Sequence, residues 1–517
     1  TAFRTLVGCM ASSQDLLTRV ADFMSARAIT GYVVGGAVRD RVLSRWERPG
    51  VGPGDIDLLL ISQVVDLVDE LAEETDASAV VIDEERGFVR LVDHSEERKW
   101  VDLAAFNGDL DSDLARRDFA INSMAVPLDE WIVRGPDGNI EDAIIDPHGG
   151  MGDLQQRVVR ETSPGNLLDD PVRIFRAIRF ATQLEFEIEA DTAVIIRDNG
   201  DLLGSASPER LMDEFFAIMA SHRPEYGIRE LDRLGLLDML IPELTLGRDC
   251  DQPSEHYYSV MEHQLHALGF ATRLVDPEIR SSDPLLKNLP WGTRFDDYLL
   301  EIVGNGQTRG TLLKIVAMLH DIGKPDTKSI DPPTSERPNG RMRFLTHDQL
   351  GSRMVSDLLT RFCCSRQTIA HASLMIEKHM RPGQMSGNDA PPSDRAIFRF
   401  FRDVSPVAVD TILLNLCDYL AARGPRLNDY EFQRFQRLLS DILSRGLKPE
   451  PERYTKDLLV DGYQVQARYG LQPGPEIGRL LGALRDAESS GVVQTKAEAY
   501  ELLARLLGRA ASRRGRP

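Results

Sequence analysis

Hydrophobic positions along the chain change their period once, near residue 160. Before that point helical and strand patterns alternate. Leu16, Leu17, Val20, Phe23 and Met24 recur at helical spacing and predict a helix over 14–27. A short apolar strand, Tyr32–Val34, follows, and Gly35-Gly36 opens a second helix. A Pro/Gly-rich turn over 49–54 leads into Asp55-Ile56-Asp57-Leu58-Leu59-Leu60, which reads as a buried strand with carboxylates at its entry. A helix over 64–74 and strands over 79–82, 88–92 and 100–104 complete a small α/β unit. After about Arg160 the period is almost wholly helical to the end. Two stretches, 247–255 and 328–341, interrupt it and read as linkers or mobile loops. The run Pro332-Pro333-Thr334-Ser335-Glu336-Arg337-Pro338-Asn339-Gly340 suits neither helix nor central strand.

Composition narrows the class. At 517 residues the chain exceeds one core, and domains of roughly 100–200 residues divide it into about three or four units. Hydrophobic residues make up 42% and charged residues 27%, a globular balance. No apolar run approaches the roughly 18–20 residues that span a bilayer, so a soluble protein with no membrane partner is expected. Thr1–Met10 has no basic stretch followed by a continuous apolar one, so a cytoplasmic address is expected. The five cysteines, Cys9, Cys250, Cys363, Cys364 and Cys417, include no C-x-x-C pair, against both a disulfide framework and a thiolate zinc site. A net charge of −20 excludes a protein that coats nucleic acid indiscriminately. An acidic enzyme can still carry a local arginine-lined groove for a polyanion. Arg509, Arg513, Arg514 and Arg516 read as a frayed, solvated terminus in preference to an RNA contact.

Chemistry first surfaces at Asp55 and Asp57. Two carboxylates one residue apart on a strand project to the same side and can share a divalent cation. Asp-x-Asp alone is commonly a solvated strand entry. Upstream, however, Gly35-Gly36 allows backbone N–H groups to approach a phosphate at a helix N-terminus, and Arg39 adds a fixed positive fork. The combination points to a triphosphate site. Asp102, on the strand Trp100–Ala104, is the candidate third carboxylate of a two-Mg²⁺ centre that activates a hydroxyl and steadies a leaving pyrophosphate.

Gly35-Gly36-Ala37-Val38-Arg39-Asp40 followed by Asp55-x-Asp57 resembles the first motif of the class II tRNA CCA-adding and bacterial poly(A) polymerase family. Further resemblances follow in order. Arg116-Arg117-Asp118-Phe119-Ala120-Ile121-Asn122 resembles the second motif, which implies that Arg116, Arg117, Asp118 and Asn122 contact the incoming nucleotide. Asp146-Pro147-His148-Gly149-Gly150 with Asp153 and Arg160 resembles the third, a hinge. Asp169-Asp170-Pro171-Val172-Arg173-Ile174-Phe175-Arg176 resembles the fourth, with Asp169 standing where Glu is usual. Pro208-Glu209-Arg210-Leu211 with Glu214 resembles the fifth.

The fourth motif also has a reading of its own. Arg173, Arg176 and Arg179 recur every third residue and form a stripe on one helix face, begun by Asp170-Pro171. An exposed arginine stripe is the plain alternative. Asp170 and Arg173 nevertheless offer an acceptor and a donor set complementary to base edges, and the resemblance implies that they read C or A in place of a template strand.

Ten histidines are few, and His263, His320-Asp321, His347 and His379 all lie between 255 and 420. Imidazoles with carboxylates suit a transition metal. His320-Asp321-Ile322-Gly323-Lys324-Pro325 resembles the signature of HD-superfamily phosphohydrolases, which implies His263, His320, Asp321, His347, His379 and Asp418 as ligands. His256 and His266 stay open as substitutes for His263, and His371 for His379.

The resemblance implies an α+β, mostly helical chain. It would have a nucleotidyltransferase head over 1–160, a helical neck over 161–250, an all-α HD domain over 251–425 and a helical C-terminal region over 426–517. The implied activity is addition of CMP and AMP from CTP and ATP to the 3′ end of tRNA, with Mg²⁺ in the head. A phosphohydrolase using Ni²⁺, Mn²⁺ or Co²⁺ would be the second. Alternatives left open are a CC-adding or A-adding enzyme, a poly(A) polymerase acting on another RNA 3′ end, and an HD phosphohydrolase with a nucleotide-binding head. The oligomeric state is not legible.

Overall fold

The computed structural model describes residues 15–46, 56–61, 65–84, 87–95, 99–105, 109–292, 294–333, 340–385, 392–446, 458–489 and 492–514. Asp55 and the turn before it lie outside these residues. The chain forms two compact units, one of residues 1–218 with 229–236 and one of 219–228 with 237–517.

The first unit begins with helix α1 over 15–26. Six strands then build one mixed sheet: β1 (Gly31–Val34), β2 (Ile56–Leu60), β3 (Ala77–Asp83), β4 (Phe88–Asp93), β5 (Trp100–Ala105) and β6 (Ala125–Pro127), in the order β3-β4-β5-β2-β1-β6. Only β2 and β5 run parallel. Central β2 buries Leu58, Leu59 and Leu60, as a strand covered on both faces should. Edge strand β3 leaves Val80, Val81 and Ile82 exposed. The helix expected over 64–74 is a 3₁₀ turn, Val65–Leu67, followed by a helix, Val68–Thr75. Strand β6 was not expected; three residues are too few to show a period.

Helix α2 (Gly36–Trp46) leaves β1 through Gly35. Farther on, helix α3 (Val172–Leu184) buries Ile174, Phe175, Ala177, Ile178, Phe180 and Ala181 and leaves Arg173, Arg176 and Arg179 half-buried. That is the predicted stripe, lying along the margin of an apolar face. Helix α4 (Pro208–Ala220) follows.

The second unit is helical around α5 (Val260–Val275), α6 (Arg309–Leu319), α7 (His347–Arg361), α8 (Arg366–Lys378) and α9 (Ala408–Arg423). All of α6 from Gly310 to Leu319 is buried, which its apolar circumference requires. Within the loop expected over 328–341, β7 (Lys328–Asp331) pairs antiparallel with β8 (Arg341–Phe344), while 334–339, most of the Pro/Gly-rich run, lie outside the described residues. Polar, Arg-rich residues concealed the strands, which are held by mutual pairing and by the Arg343–Asp331 ion pair. The HD region is helical apart from such short two-stranded hairpins. The stretch 247–255 does lack regular structure but is tied down, with Met261 N–H donating to Gly247 O at 2.9 Å. At the C-terminal end Val460, Val465, Leu480, Leu484, Val493, Ala499 and Leu503 form a separate small core. The helix Lys496–Arg514 takes in Arg509, Arg513 and Arg514 of the tail where fraying was expected, and Arg516 lies outside the described residues. Among the described residues no single helix is long and apolar enough to cross a membrane.

Candidate functional site

Gly35 turns the chain from β1 into α2 with φ of 74°, and its N–H donates to Met124 O at 3.2 Å. A Cβ at Gly35 would lie 2.8 Å from Nη1 of Arg117 and 3.5 Å from Oδ2 of Asp57. Three predicted residues, distant in sequence, therefore meet at one point. Arg39, one turn into α2, donates from Nη1 to Asn122 Oδ1 at 2.6 Å and from Nε to Asp40 Oδ1 at 2.7 Å. Asn122 donates in turn to Asp118 Oδ1 at 3.1 Å, and Asp118 Oδ2 pairs with Arg176 at 2.7 Å. Asp118 and Asn122 are buried, so this chain of partners is a fixed link between the sheet region and α3. Around the Phe180 ring stand three guanidinium groups, Arg179 at 4.1 Å, Arg39 at 5.0 Å and Arg176 at 5.6 Å from its centre. Burial lowers the pKa of Arg179, opposed by its ion pair with Glu214.

Asp170 and Arg173 are close in sequence but hold different partners. Both oxygens of Asp170 accept from Arg210, at 3.1 and 2.5 Å. Burial raises the Asp170 pKa, but the Arg210 guanidinium outweighs it and holds the carboxyl below its usual range. Arg173 donates to Asn166 O at 2.9 Å, and Asn166 Nδ2 reaches Ala115 O and Arg117 O at 2.6 and 2.8 Å. Asp102 sits beside Asp57 in the parallel register. Arg90, opposite on β4, binds both of its oxygens at 2.7 Å. Arg116 is the exposed partner of Asp113, at 3.0 Å.

The histidine cluster is denser. Nε2 of His263 lies 3.1 Å from Nε2 of His320, 3.2 Å from Asp321 Oδ2 and 3.2 Å from Asp418 Oδ1. His347 Nε2 is 3.3 Å and His379 Nε2 3.9 Å from Asp321 Oδ1. Three of the rings are oriented alike from behind: Nδ1 of His320, His347 and His379 faces the carbonyl three residues back, at 2.9, 2.7 and 2.6 Å. Donation there fixes Nδ1 as the protonated nitrogen and turns the Nε2 lone pair inward, the outer-shell arrangement of metal-binding histidines. Helix α6 supplies His320 at its C-terminal cap, where it is fully buried.

This donor set fits a cation. His256, His263, Asp321 and Asp418 form one group of mutually close ligand atoms, and His320, Asp321 and His379 another, so Asp321 is shared. Burial lowers the His320 pKa, but Asp321 and Asp418 outweigh it and bring it up to about 10. The carboxylates thus demand a positive charge at this place. Burial meanwhile pushes His379 down to about 4 and His256 to about 3, so both are neutral at ordinary pH, the form that could offer a lone pair to a metal. Of the open substitutes, His256 joins the cluster, whereas His266 stacks on Tyr258 and His371 belongs to neither group.

Family models match in the same order along the chain. The poly A polymerase head domain matches residues 31–160, the probable RNA and SrmB-binding site of polymerase A residues 185–246, and the HD domain residues 297–423. The A-adding tRNA nucleotidyltransferase of Deinococcus radiodurans is 32% identical over 485 residues, covering 92% of this chain and 94% of that protein. The chain belongs to the tRNA nucleotidyltransferase and poly(A) polymerase family. The CC-adding tRNA nucleotidyltransferase of Thermus thermophilus is 29% identical over 479 residues, covering 91% of this chain and 92% of that protein. In fold the chain is similar to a Thermotoga maritima CCA-adding enzyme solved with tRNA, with a TM-score of 0.55 and 20% identity over 97% of this chain and 98% of that one.

Several residues around the nucleotidyltransferase site escaped the sequence reading. Asn166 and Phe180 carry no charge pattern, and Arg90 looks like any strand arginine until β4 sets it opposite Asp102. Arg210 could be found only as part of the fifth motif. Lys324 was visible as the last polar residue of the HD signature, and its Nζ lies 2.6 Å from Asp321.

Proposed function

We propose that this chain extends the 3′ end of tRNA by adding CMP and AMP from CTP and ATP without a template strand. The observation that carries this reading is the convergence of Gly35, Asp57 and Arg117 at one point, with Arg39 linked through Asn122 and Asp118 to the arginines of α3. Asp55 and Asp57, with Asp102 as the third carboxylate, would hold Mg²⁺, which lowers the pKa of an attacking hydroxyl and steadies departing pyrophosphate. The Gly35-Gly36 turn, whose Gly35 N–H is held by Met124 O, lets phosphate oxygens approach the N-terminus of α2, and Arg39 and Arg117 add positive charge in fixed positions. Arg90 orients Asp102 from behind. Asp170 and Arg173 present an acceptor and donors to the base edge, while Arg210 keeps Asp170 ionised and aimed. Arg116, Arg176 and Arg179 supply the remaining positive field for triphosphate and RNA. A division into head (1–160), neck (161–250), HD domain (251–425) and helical tail (426–517), and a cytoplasmic address, accompany this reading.

Two relatives aligned over almost their whole length are named A-adding and CC-adding, which favours a second reading within the same chemistry, a partial enzyme. Transcripts lacking CCA, lacking its last two nucleotides or lacking only the final A decide between them when CTP and ATP are supplied singly and together. A full enzyme completes all three. A partial enzyme completes one step and stops, and no extension of any transcript refutes both readings.

For the second unit the reading is metal-dependent phosphoester hydrolysis. His263, His320, Asp321, His347, His379 and Asp418 would hold Ni²⁺, Mn²⁺ or Co²⁺, which polarises a phosphoryl group and supplies hydroxide near neutral pH. Metal analysis of the purified protein, with a panel of phosphoesters, tests it. No bound metal and no hydrolysis would leave the cluster a structural one.

A further inference from the structure

The cleft that contains the histidine–aspartate cluster has a volume of about 310 Å³, at the small end of ligand pockets. Besides the cluster, Lys324, Pro253, Leu345 and Met380, it is lined by the second strand of the hairpin β7–β8, through Arg341, Met342, Arg343 and Phe344. That hairpin is held firmly. Gly340, with φ of 72°, closes so tightly on β7 that a Cβ would lie 2.2 Å from Asp331 O. Arg343 pairs with Asp331. The carbonyl of Phe344 lies 2.7 Å from Nδ1 of His347, so the end of the hairpin also orients a metal-binding histidine. The cleft and its rim are therefore one construction.

Charge divides this construction into two levels. The ligand cluster is deep, with His320, Asp321 and His379 no more than 1% exposed. Lys324, the cation nearest to it, has Nζ within 2.6 Å of Asp321, 2.7 Å of Gln252 Oε1 and 3.3 Å of His256 Nε2, which occupies its three donors. The positive charge at the rim comes from Arg341, which is exposed, and Arg343, which is half-buried. A phosphoester small enough to present only its scissile phosphate to the metal ligands would leave Arg341, and whatever of the Arg343 guanidinium its Asp331 pair does not take, without a part in binding it.

We infer that Arg341 and Arg343 dock a second phosphate of the substrate, so that the cleft takes a terminal nucleotide carrying two phosphate groups. This rests on reading the cleft as a phosphohydrolase. One phosphate goes to the deep cluster, and the other, across the nucleoside, to the rim. Phe344 and Met342 give the nucleoside an apolar wall between them. A free nucleoside 3′,5′-bisphosphate and an RNA end with a 3′-phosphate both carry this chemistry.

The test uses the full chain loaded with Mn²⁺ and three substrates: adenosine 3′-monophosphate, adenosine 3′,5′-bisphosphate and a trinucleotide ending in a 3′-phosphate. The expected result is at least a ~10-fold higher kcat/KM for the two-phosphate substrates, carried mainly by KM. The double variant Arg341→Ala/Arg343→Ala should lose that preference and Arg341→Lys/Arg343→Lys should recover part of it, while unchanged Mn²⁺ binding and an unchanged thermal melt report that the second unit of both variants is folded. A higher value for the trinucleotide identifies RNA ends as the source, and a higher value for the bisphosphate identifies free nucleotides. Equal preference in the wild type and the alanine variant overturns the proposal. If the wild type hydrolyses none of the three, the phosphohydrolase reading fails, and calorimetric binding of adenosine 3′,5′-bisphosphate then decides the rim alone. Tighter binding by the wild type than by the alanine variant upholds it; equal or absent binding overturns it.

Discussion

Replacing Gly35 by Ala puts one methyl group where Asp57 and Arg117 converge. Two costs can be separated. The first is conformational: a non-glycine residue at φ of 74° is disfavoured by about 1–2 kcal/mol. Against a typical stability of about 5–15 kcal/mol this leaves the protein folded, with a melting temperature lower by a few degrees. The second is steric. The new Cβ would stand 2.8 Å from Arg117 Nη1, where ordinary contact begins at 3.4 Å, so the guanidinium must retreat by about 0.6 Å or the turn must shift by as much. Asp57 Oδ2, at 3.5 Å, has no slack to absorb the shift. Displacement on this scale among groups that align a phosphate and a hydroxyl lowers rate by on the order of 10²-fold. The assay is kcat/KM for CMP addition to a transcript lacking CCA, beside a thermal melt. Gly36→Ala is the control, because its Cβ would come no nearer than 3.4 Å to Arg39, where ordinary contact begins, and its φ is unstrained. A Gly35→Ala enzyme within threefold of wild type, or no worse than Gly36→Ala, would refute the claim that this close approach matters.

Asp57→Asn should abolish nucleotide addition yet leave tRNA affinity within about twofold, since a carboxylate contributes nothing to holding a polyanion; comparable losses in both measurements would make it a folding residue. Arg210→Ala should alter the ratio of CTP to ATP use, because Asp170 loses both of its guanidinium contacts; an unchanged ratio at lower rate would limit Arg210 to support. Replacing His320 and Asp321 together by Ala should remove transition metal from the protein while CMP addition continues, and retained metal by elemental analysis would move the ligand site elsewhere. Lys314, buried in α6 with its Nζ 2.8 Å from Ser221 O, has its pKa lowered by burial to about 8. Below that pH both folded and unfolded chains hold the proton and the burial cost is fully present; between about pH 8 and 10.5 the unfolded chain binds more proton, so stability should rise by up to roughly 3 kcal/mol. Melting temperature from pH 7.5 to 10, referred to Lys314→Met, measures this, and a flat difference would mean that Lys314 titrates alike in both states.

What the sequence determined by itself is the set of features with a short period or a short spacing. Leu16 to Met24 at helical intervals, Leu58-Leu59-Leu60 on a doubly covered strand and Arg173, Arg176 and Arg179 along one helix face are all local consequences of backbone geometry, and they reappear in the structure. The glycine pair and the His320-Asp321 step were equally legible, because their neighbours in sequence are their neighbours in space. Only the tertiary structure decided which distant groups share a point. Parallel pairing of β2 with β5 sets Asp102 beside Asp57, and antiparallel β4 then sets Arg90 across from it, a choice made by strand order and not by either segment. Asp170 lies near Arg173 in sequence, yet its carboxylate is held by Arg210 of α4, forty residues on. Of the rim arginines of the HD cleft, Arg341 fell at the end of what read as a loop and Arg343 just beyond it, because a polar two-stranded hairpin has no hydrophobic period to reveal it. Periodicity reports which face of an element is buried; it carries no record of which other element does the burying, and that is where both sites are assembled.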